Sequence, residues 1–294
     1  MKLRDYFLLM GFLFLVTLSC STRGYPDVDA RLLAYQSEID DAEKDLETGR
    51  YCFKIYDYRQ AERFFNQAVL KSKKVSYQQG HLYGLNDLGL LNTERGFFPS
   101  AVSNFKEALP LSQKLQIPQA ESDVLNNMAL LVLVSGNDYF GEPVPLLLEK
   151  ALKKNRLPLK GLVIQANLGL YHLSKNDYTK AETCFNKVRK EALKKDYYEL
   201  LVRSTLRLGQ ASLQKGEVVK GIAYAKDAFN IASSWDDKRG LIDVSDLLSL
   251  YYEKNGDIEN ALIYAKVIYN IRKGLLAKDF EKADLARIAR LEGK

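Results

Sequence analysis

Two sets of side chains in this sequence have the types and spacing for chemistry, and in both it is either recognition or the ordinary polar covering of a solvated helix face. Asn127 and Asn167 stand 40 residues apart, with Asn126 beside the first and Asn86 and Asp87 upstream. A carboxamide offers donor and acceptor together, which suits a peptide main chain whose groups alternate. Arg203 and Arg207 fall at i and i+4, so a helix would carry both on one face, where they could grip a carboxylate. Groups for covalent or metal chemistry are scarce. The chain has two histidines, His81 and His172, and three cysteines, Cys20, Cys52 and Cys184. They form no CxxC or HExxH spacing, no Ser-His-Asp or Cys-His constellation suggests itself, and no glycine-rich phosphate loop follows a strand. No metal, no cofactor and no enzymatic activity are therefore expected. Cys52 and Cys184 lie several repeats apart, too far for a disulfide, and read as small buried apolar side chains. His172 reads as a packing residue.

What must position these residues is a repeat. From about residue 29 the chain reads as helix throughout. Glycine or asparagine, the types that end a helix in the left-handed conformation, recurs at Gly96, Gly136, Asn176, Gly216 and Gly256. A small residue recurs at Gly49, Gly89, Ala129, Gly169, Gly209 and Ser249. Glycine inside a helix costs up to about 1 kcal/mol, so its recurrence implies that a neighbouring helix passes close. Twelve residues on lies a second small slot, at Ala61, Ala101, Ala181, Gly221 and Ala261, where the helices of one hairpin should cross. The third unit departs: the loop 135–143 holds three additional residues, and Val144, Leu148 and Ala151 lag their slots accordingly. That is a tolerated loop variation or a site of added function.

With Leu168-Gly169 followed by Ala181-x3-Phe185, the unit resembles the tetratricopeptide repeat (TPR). Its period is 40 rather than the usual 34 and it lacks the closing proline. The additional residues should lengthen the helices at the inter-repeat turns. The resemblance implies an all-α fold: a right-handed superhelical solenoid of about six antiparallel hairpins, starting near 42, 82, 122, 162, 202 and 242, within residues 29–281. A charged amphipathic segment then caps the array, with 282–294 as the end of the capping helix. The resemblance also implies a concave face, lined by first helices, that takes a protein or peptide. Asn86, Asp87, Asn126, Asn127, Asn167, Arg203 and Arg207 would face it. Kinesin light chains, which are similar in this respect, hold peptide main chain with such asparagines. On that reading Asn127 and Asn167 face water in the free protein. Leu90, Leu130, Leu170 and Leu213 would line the groove or pack between first helices. The basic residues at 150–156 and 187–195 would sit at helix C-termini, where the dipole favours them. Trp235 reads as inter-repeat packing, and Asp40-Asp41 and Asp236-Asp237 as solvated helix ends.

The N-terminus reads as an address. Lys2 and Arg4 precede an apolar run, Tyr6 to Leu18, that would rise only about 20 Å as a helix against a bilayer core of about 30 Å. Residues 1–19 therefore read as a signal peptide and not a membrane span. Thr17-Leu18-Ser19-Cys20 resembles a bacterial lipobox, which implies lipidation of Cys20 and a lipid anchor in the cell envelope. Ser21 in place of an aspartate leans toward the outer membrane, facing the periplasm. Residues 20–28 would be a tether. The net charge of +6 is mild for 294 residues, with no run of five like charges, and does not call for nucleic acid. The functional expectation is an envelope scaffold that binds a protein or peptide, as in assembly of an envelope complex. The alternatives are a ligand-binding accessory of a transport or peptidoglycan system, or a cytosolic peptide sensor if residues 1–20 are not a signal.

Overall fold

The computed structural model describes residues 26–275 and 277–293. The signal segment, Cys20 and the first part of the tether lie outside them. The chain divides into two units, residues up to Glu38 and from Ile39 onward. In the first, the described residues are helical, and Leu32 and Leu33 are exposed. Every feature of the repeat array belongs to the second.

Among the described residues there are thirteen helices and no strand. The first, α1 (Pro26–Lys54), begins with a proline whose missing N–H is no loss at a helix start. It therefore takes in the last residues of the expected tether. The hairpins are α1 with α2 (Tyr58–Lys74), α3 (Gln78–Glu94) with α4 (Phe98–Lys114), and α5 (Pro118–Ser135) with α6 (Val144–Lys154). They continue as α7 (Pro158–Ser174) with α8 (Tyr178–Lys194), α9 (Tyr198–Lys215) with α10 (Val218–Ser234), and α11 (Lys238–Lys254) with α12 (Ile258–Gly274). A last helix, α13 (Lys278–Leu291), stands where the first helix of a seventh hairpin would begin. The cap is thus a half-repeat that starts at 278 and runs into the segment 282–294 expected to end it.

Both kinds of turn are built alike. Gly96, Gly136, Asn176, Gly216 and Gly256 have φ between +57° and +89°. At each of these but Gly136 the following N–H returns to a carbonyl five residues back, as in Phe97 to Asn92 at 2.8 Å and Glu217 to Ser212 at 2.8 Å. The turns between hairpins have the same left-handed residue, at Ser76, Gln116, Asp196 and Asp236. Most helices are 17 residues long and most turns are three. The added length is therefore shared by both helices and is not confined to one turn. Asp57, Asp177, Asp237 and Asp257 each cap the next helix by accepting from the N–H three residues on. Asp40-Asp41, expected at a helix end, instead lie inside α1.

The small slots have a specific cause. A Cβ at Gly49, Gly89 or Gly169 would come within 2.4–2.6 Å of the ring of Phe65, Phe105 or Phe185, the A-x3-F phenylalanine of the same hairpin. All three rings are almost wholly buried, each contributing about 1.5–3 kcal/mol. In the third hairpin Ala129 goes with Leu148, and both are buried. In the fifth and sixth the phenylalanine is Ala225 or Ala265, and the helices close up instead: Ser249 Oγ donates to the Ala261 carbonyl at 2.8 Å. The loop 135–143 leaves this stack intact. Asp138 accepts from the N–H groups of Phe140 and Gly141, and Tyr139 and Phe140 fold back onto the core.

Cys52 and Cys184 are free and buried. His172 packs edge-on against Tyr171, and Trp235 stacks on Tyr198, tying the fifth hairpin to the link that follows it. Four of the basic residues at 150–156 and 187–195 are ion-paired: Lys150 with Glu142, Lys153 with Glu149, Lys154 with Glu121, and Arg189 with Asp227. Lys153, Lys154 and Lys194 lie in last helical turns. No described helix is long and apolar enough to cross a membrane.

The array does not stay open. Tyr56, Tyr58, Cys52 and Leu46 of the first hairpin share one apolar cluster with Ile242, Ile268 and Ala277, and Phe280 packs against it. The superhelix therefore closes end to end, and the C-terminal segment touches the first hairpin as well as the last.

Candidate functional site

Closure leaves a cavity of about 650 Å³ on the inner face. First helices supply its walls: Asn86, Asp87 and Leu90 from α3, Asn126, Asn127 and Leu130 from α5, Val163 and Asn167 from α7, Arg203 from α9 and Arg239 from α11. Six of the seven residues expected at a binding face thus meet in one place. Arg207 is the exception. It is half-buried one turn below Arg203, donates to Gln210 at 2.7 Å and does not line the cavity. Burial depresses its charge and the nearby Asp243 supports it, so the two arginines do not form a common fork. Leu90 and Leu130 are in the lining, whereas Leu170 packs with Leu173 and Phe185, and Leu213 covers Gly221.

Asn127 and Asn167 were expected to face water in the free protein; instead the asparagines are bonded to one another. Asn167 Nδ2 donates to Asn126 Oδ1 at 2.8 Å, Asn126 to Asn127 at 3.3 Å, and Asn127 to Asn86 at 3.0 Å. Asn126, Asn127 and Asn167 are only 7–9% exposed. The inter-helix rungs span 41 residues, not 40, so Asn167 meets Asn126 and not Asn127. Three bonds among four carboxamides leave every side chain with at least one N–H unused. The chain is a row of donors and acceptors already held in place.

Around it the charges are mostly matched. Arg50 holds Asp87 at 2.7 Å, Lys160 holds Asp123 at 3.4 Å, and Lys54 pairs with Glu199. Burial pushes the Asp87 carboxyl up, opposed by Arg50, while Lys54 holds Glu199 below the usual carboxylate range. Arg239 donates to both oxygens of Glu94 at 2.5 and 2.6 Å. Burial works against its charge, but Glu94 and Tyr56 outweigh that and hold it up. Arg203 is exposed and, among the described residues, has no ion pair or hydrogen bond. Glu199 and Asp243 lie within range of its charge without bonding to it. Nothing in the spacing of the sequence points to Arg239, whose role depends on ring closure. Cys20 lies outside the described residues.

Among the described residues no group of three or more metal-ligating side chains comes together. What the arrangement offers is a half-open site with an apolar floor of Leu90, Leu130, Leu159 and Val163, a line of amides and an exposed arginine. No family model matches the sequence, and no curated protein matches it. Solved structures do. A Rap protein complexed with competence and sporulation factor is 16% identical, with a TM-score of 0.62 over 80% of this chain and 76% of that one. BtubC from P. vanneervenii is 16% identical with a TM-score of 0.47, covering 69% and 92% of the two chains. The TPR2AB domain of yeast Sti1, in complex with an HSP90 peptide, is 13% identical with a TM-score of 0.35, covering 85% and 98%. The fold is a TPR-like solenoid of helical hairpins.

Proposed function

We propose that this chain binds a short extended peptide, or the exposed tail of a protein, inside the ring. The observation that carries the reading is the amide row on the inner face of three consecutive hairpins, lying in the same cavity as the exposed Arg203, which makes no ion pair or hydrogen bond among the described residues. An extended chain presents a donor or acceptor about every 3.3–3.6 Å, which a row of carboxamides can follow. Ordering the row in advance reduces what binding costs in entropy. The volume lies within the roughly 300–1,000 Å³ of ligand sites and suits a segment of a few residues better than a folded partner. Arg203 would take an acidic side chain or a terminal carboxylate. A glycan or small molecule could use single amides but has no repeating main-chain groups to match the row. Binding, not catalysis, is what these side chains do. The protein neighbours known to bind a peptide or protein factor, the Rap protein and Sti1, are compatible with this reading.

Peptides selected from a random heptapeptide library would test it. Their affinity should fall about tenfold on Arg203→Ala at low ionic strength, about 1.4 kcal/mol, and the loss should shrink in high salt as the charge is screened. Failure to select any peptide, or equal affinity for both proteins, would count against the site.

The proposal extends to location on the strength of residues 1–20: a lipid-anchored envelope protein, held at the outer membrane and facing the periplasm, whose ligand belongs to an envelope assembly. Cys20→Ala should leave uncut precursor or a soluble product. Undiminished fatty-acid labelling and membrane partition in that variant would refute the anchor.

A further inference from the structure

We propose that the two ends of the ring are held by a reversible clasp, whose opening is the easiest motion of the array and removes one wall of the cavity. The seam differs in kind from the joints between hairpins. Those joints are close, with fully buried alanine, leucine and phenylalanine side chains and helices in near contact. Across the seam the contacts on both sides come from long side chains, Tyr56, Tyr58, Arg239, Arg272 and Phe280.

On one side of the seam stand Phe53, Tyr56, Tyr58 and Glu94. On the other stand Arg239, Asp243, Arg272 and Phe280. Arg239 binds Glu94 and lies over the rings of Phe53 and Tyr56, 5.2 and 5.0 Å from their centroids. Tyr58 donates to the same Glu94 carboxylate at 2.7 Å. The Phe280 ring meets Tyr56 and Tyr58 edge-on at 6.0 and 5.7 Å, with Arg272 over its face at 4.3 Å. Arginine on aromatic faces and a partly exposed ion pair are contacts that re-form without repacking a core.

Phe53, Glu94 and Arg239 belong to the clasp and to the cavity lining at once. Parting the ends therefore carries Arg239 away from the amide row, and a ligand that touches both sides favours the closed form by its differential affinity. This consequence rests on the peptide-site reading above; closure itself does not.

The test uses the free protein, so its failure and that of the peptide reading are separable. Nitroxide labels at Leu70→Cys in α2 and Ile263→Cys in α12, both exposed positions, report the gap by pulsed dipolar distance measurement. Cys20 is replaced by Ala in the labelled protein; of the described thiols, Cys52 and Cys184 are buried, and burial raises both, which keeps labelling at the new sites. Wild type should give a narrow main distance. Glu94→Gln and, independently, Phe280→Ala should add a longer-distance population at least tenfold above wild type, increasing with salt for wild type and less for Glu94→Gln. Amide exchange should quicken together over 45–58 and 277–291 and stay unchanged over 118–194. Unaltered distances in Glu94→Gln, or quickened exchange in α13 alone, would overturn the clasp.

Discussion

Gly169→Leu should destabilise the protein by about 3 kcal/mol or more, the largest single effect expected in the array. Even the first carbon of a side chain there would lie 2.6 Å from Phe185 Cε1 and 2.9 Å from two further ring atoms. The ring is fully buried and has no free space to turn into. Overpacking a tight core costs typically 1–3 kcal/mol and more when the neighbour cannot yield. The third hairpin shows how the clash can be relieved, since there an alanine, Ala129, goes with a leucine, Leu148. Gly169→Ala alone should therefore destabilise, and Gly169→Ala with Phe185→Leu should recover part of the loss, a coupling readable in a double-mutant cycle. In Gly169→Leu, hydrogen exchange should quicken first over 158–194. Fully native protection of that stretch would mean that the close approach at Gly169 is not what the fold requires.

Loss of the amide row should be the second large effect, and it should touch stability and binding together. Asn167→Ala leaves Asn126 Oδ1 without its donor in a nearly buried position, at a cost of about 1–3 kcal/mol. Asn126→Ala strands both Asn167 and Asn127. The double variant removes both ends of the 2.8 Å rung, so its cost should be less than the sum of the single ones. Denaturant titration of the four proteins measures this. Peptide affinity should fall in each variant by more than the change in fold stability alone would bring, because unused N–H groups are lost as well. Additive stability losses with unaltered affinity would make the row a purely structural device.

Much of this architecture was legible in the sequence because glycine marks what no other residue does well. Gly96, Gly136, Gly216 and Gly256 gave away the hairpin turns, and Gly49, Gly89 and Gly169 the places where a phenylalanine ring lies against the helix. The turns between hairpins were hidden because Ser76, Gln116, Asp196 and Asp236 adopt the same left-handed conformation without being glycine. The length added to each unit was expected in the helices next to those turns, and it is found in both helices of the hairpin.

The site was half legible. Residues three before the small slot do face inward, which places Asn86 and Asn126 in the cavity. A period of 40 pairs Asn127 with Asn167, yet neighbouring first helices are offset by one residue, so the actual rung joins Asn126 to Asn167. Arg207 was misplaced because i and i+4 differ by about 40° around a helix at 3.6 residues per turn, enough to turn it from the cavity toward Asp243. Ring closure had no local signal. It depends on the accumulated rotation of six hairpins, and with it came Arg239 and the role of Phe280.

Photo-crosslinking from inside the cavity tests the central claim most directly. A benzophenone side chain at Leu130, on the floor beside the amide row, would be irradiated in intact cells and the adduct read by mass spectrometry. The account predicts a covalent adduct to a short peptide or to one terminal stretch of a protein, lost when Asn126→Ala and Asn167→Ala are combined in a protein that is still folded. An adduct to a glycan or small molecule, or a peptide adduct that the combined variant leaves undiminished, would contradict it.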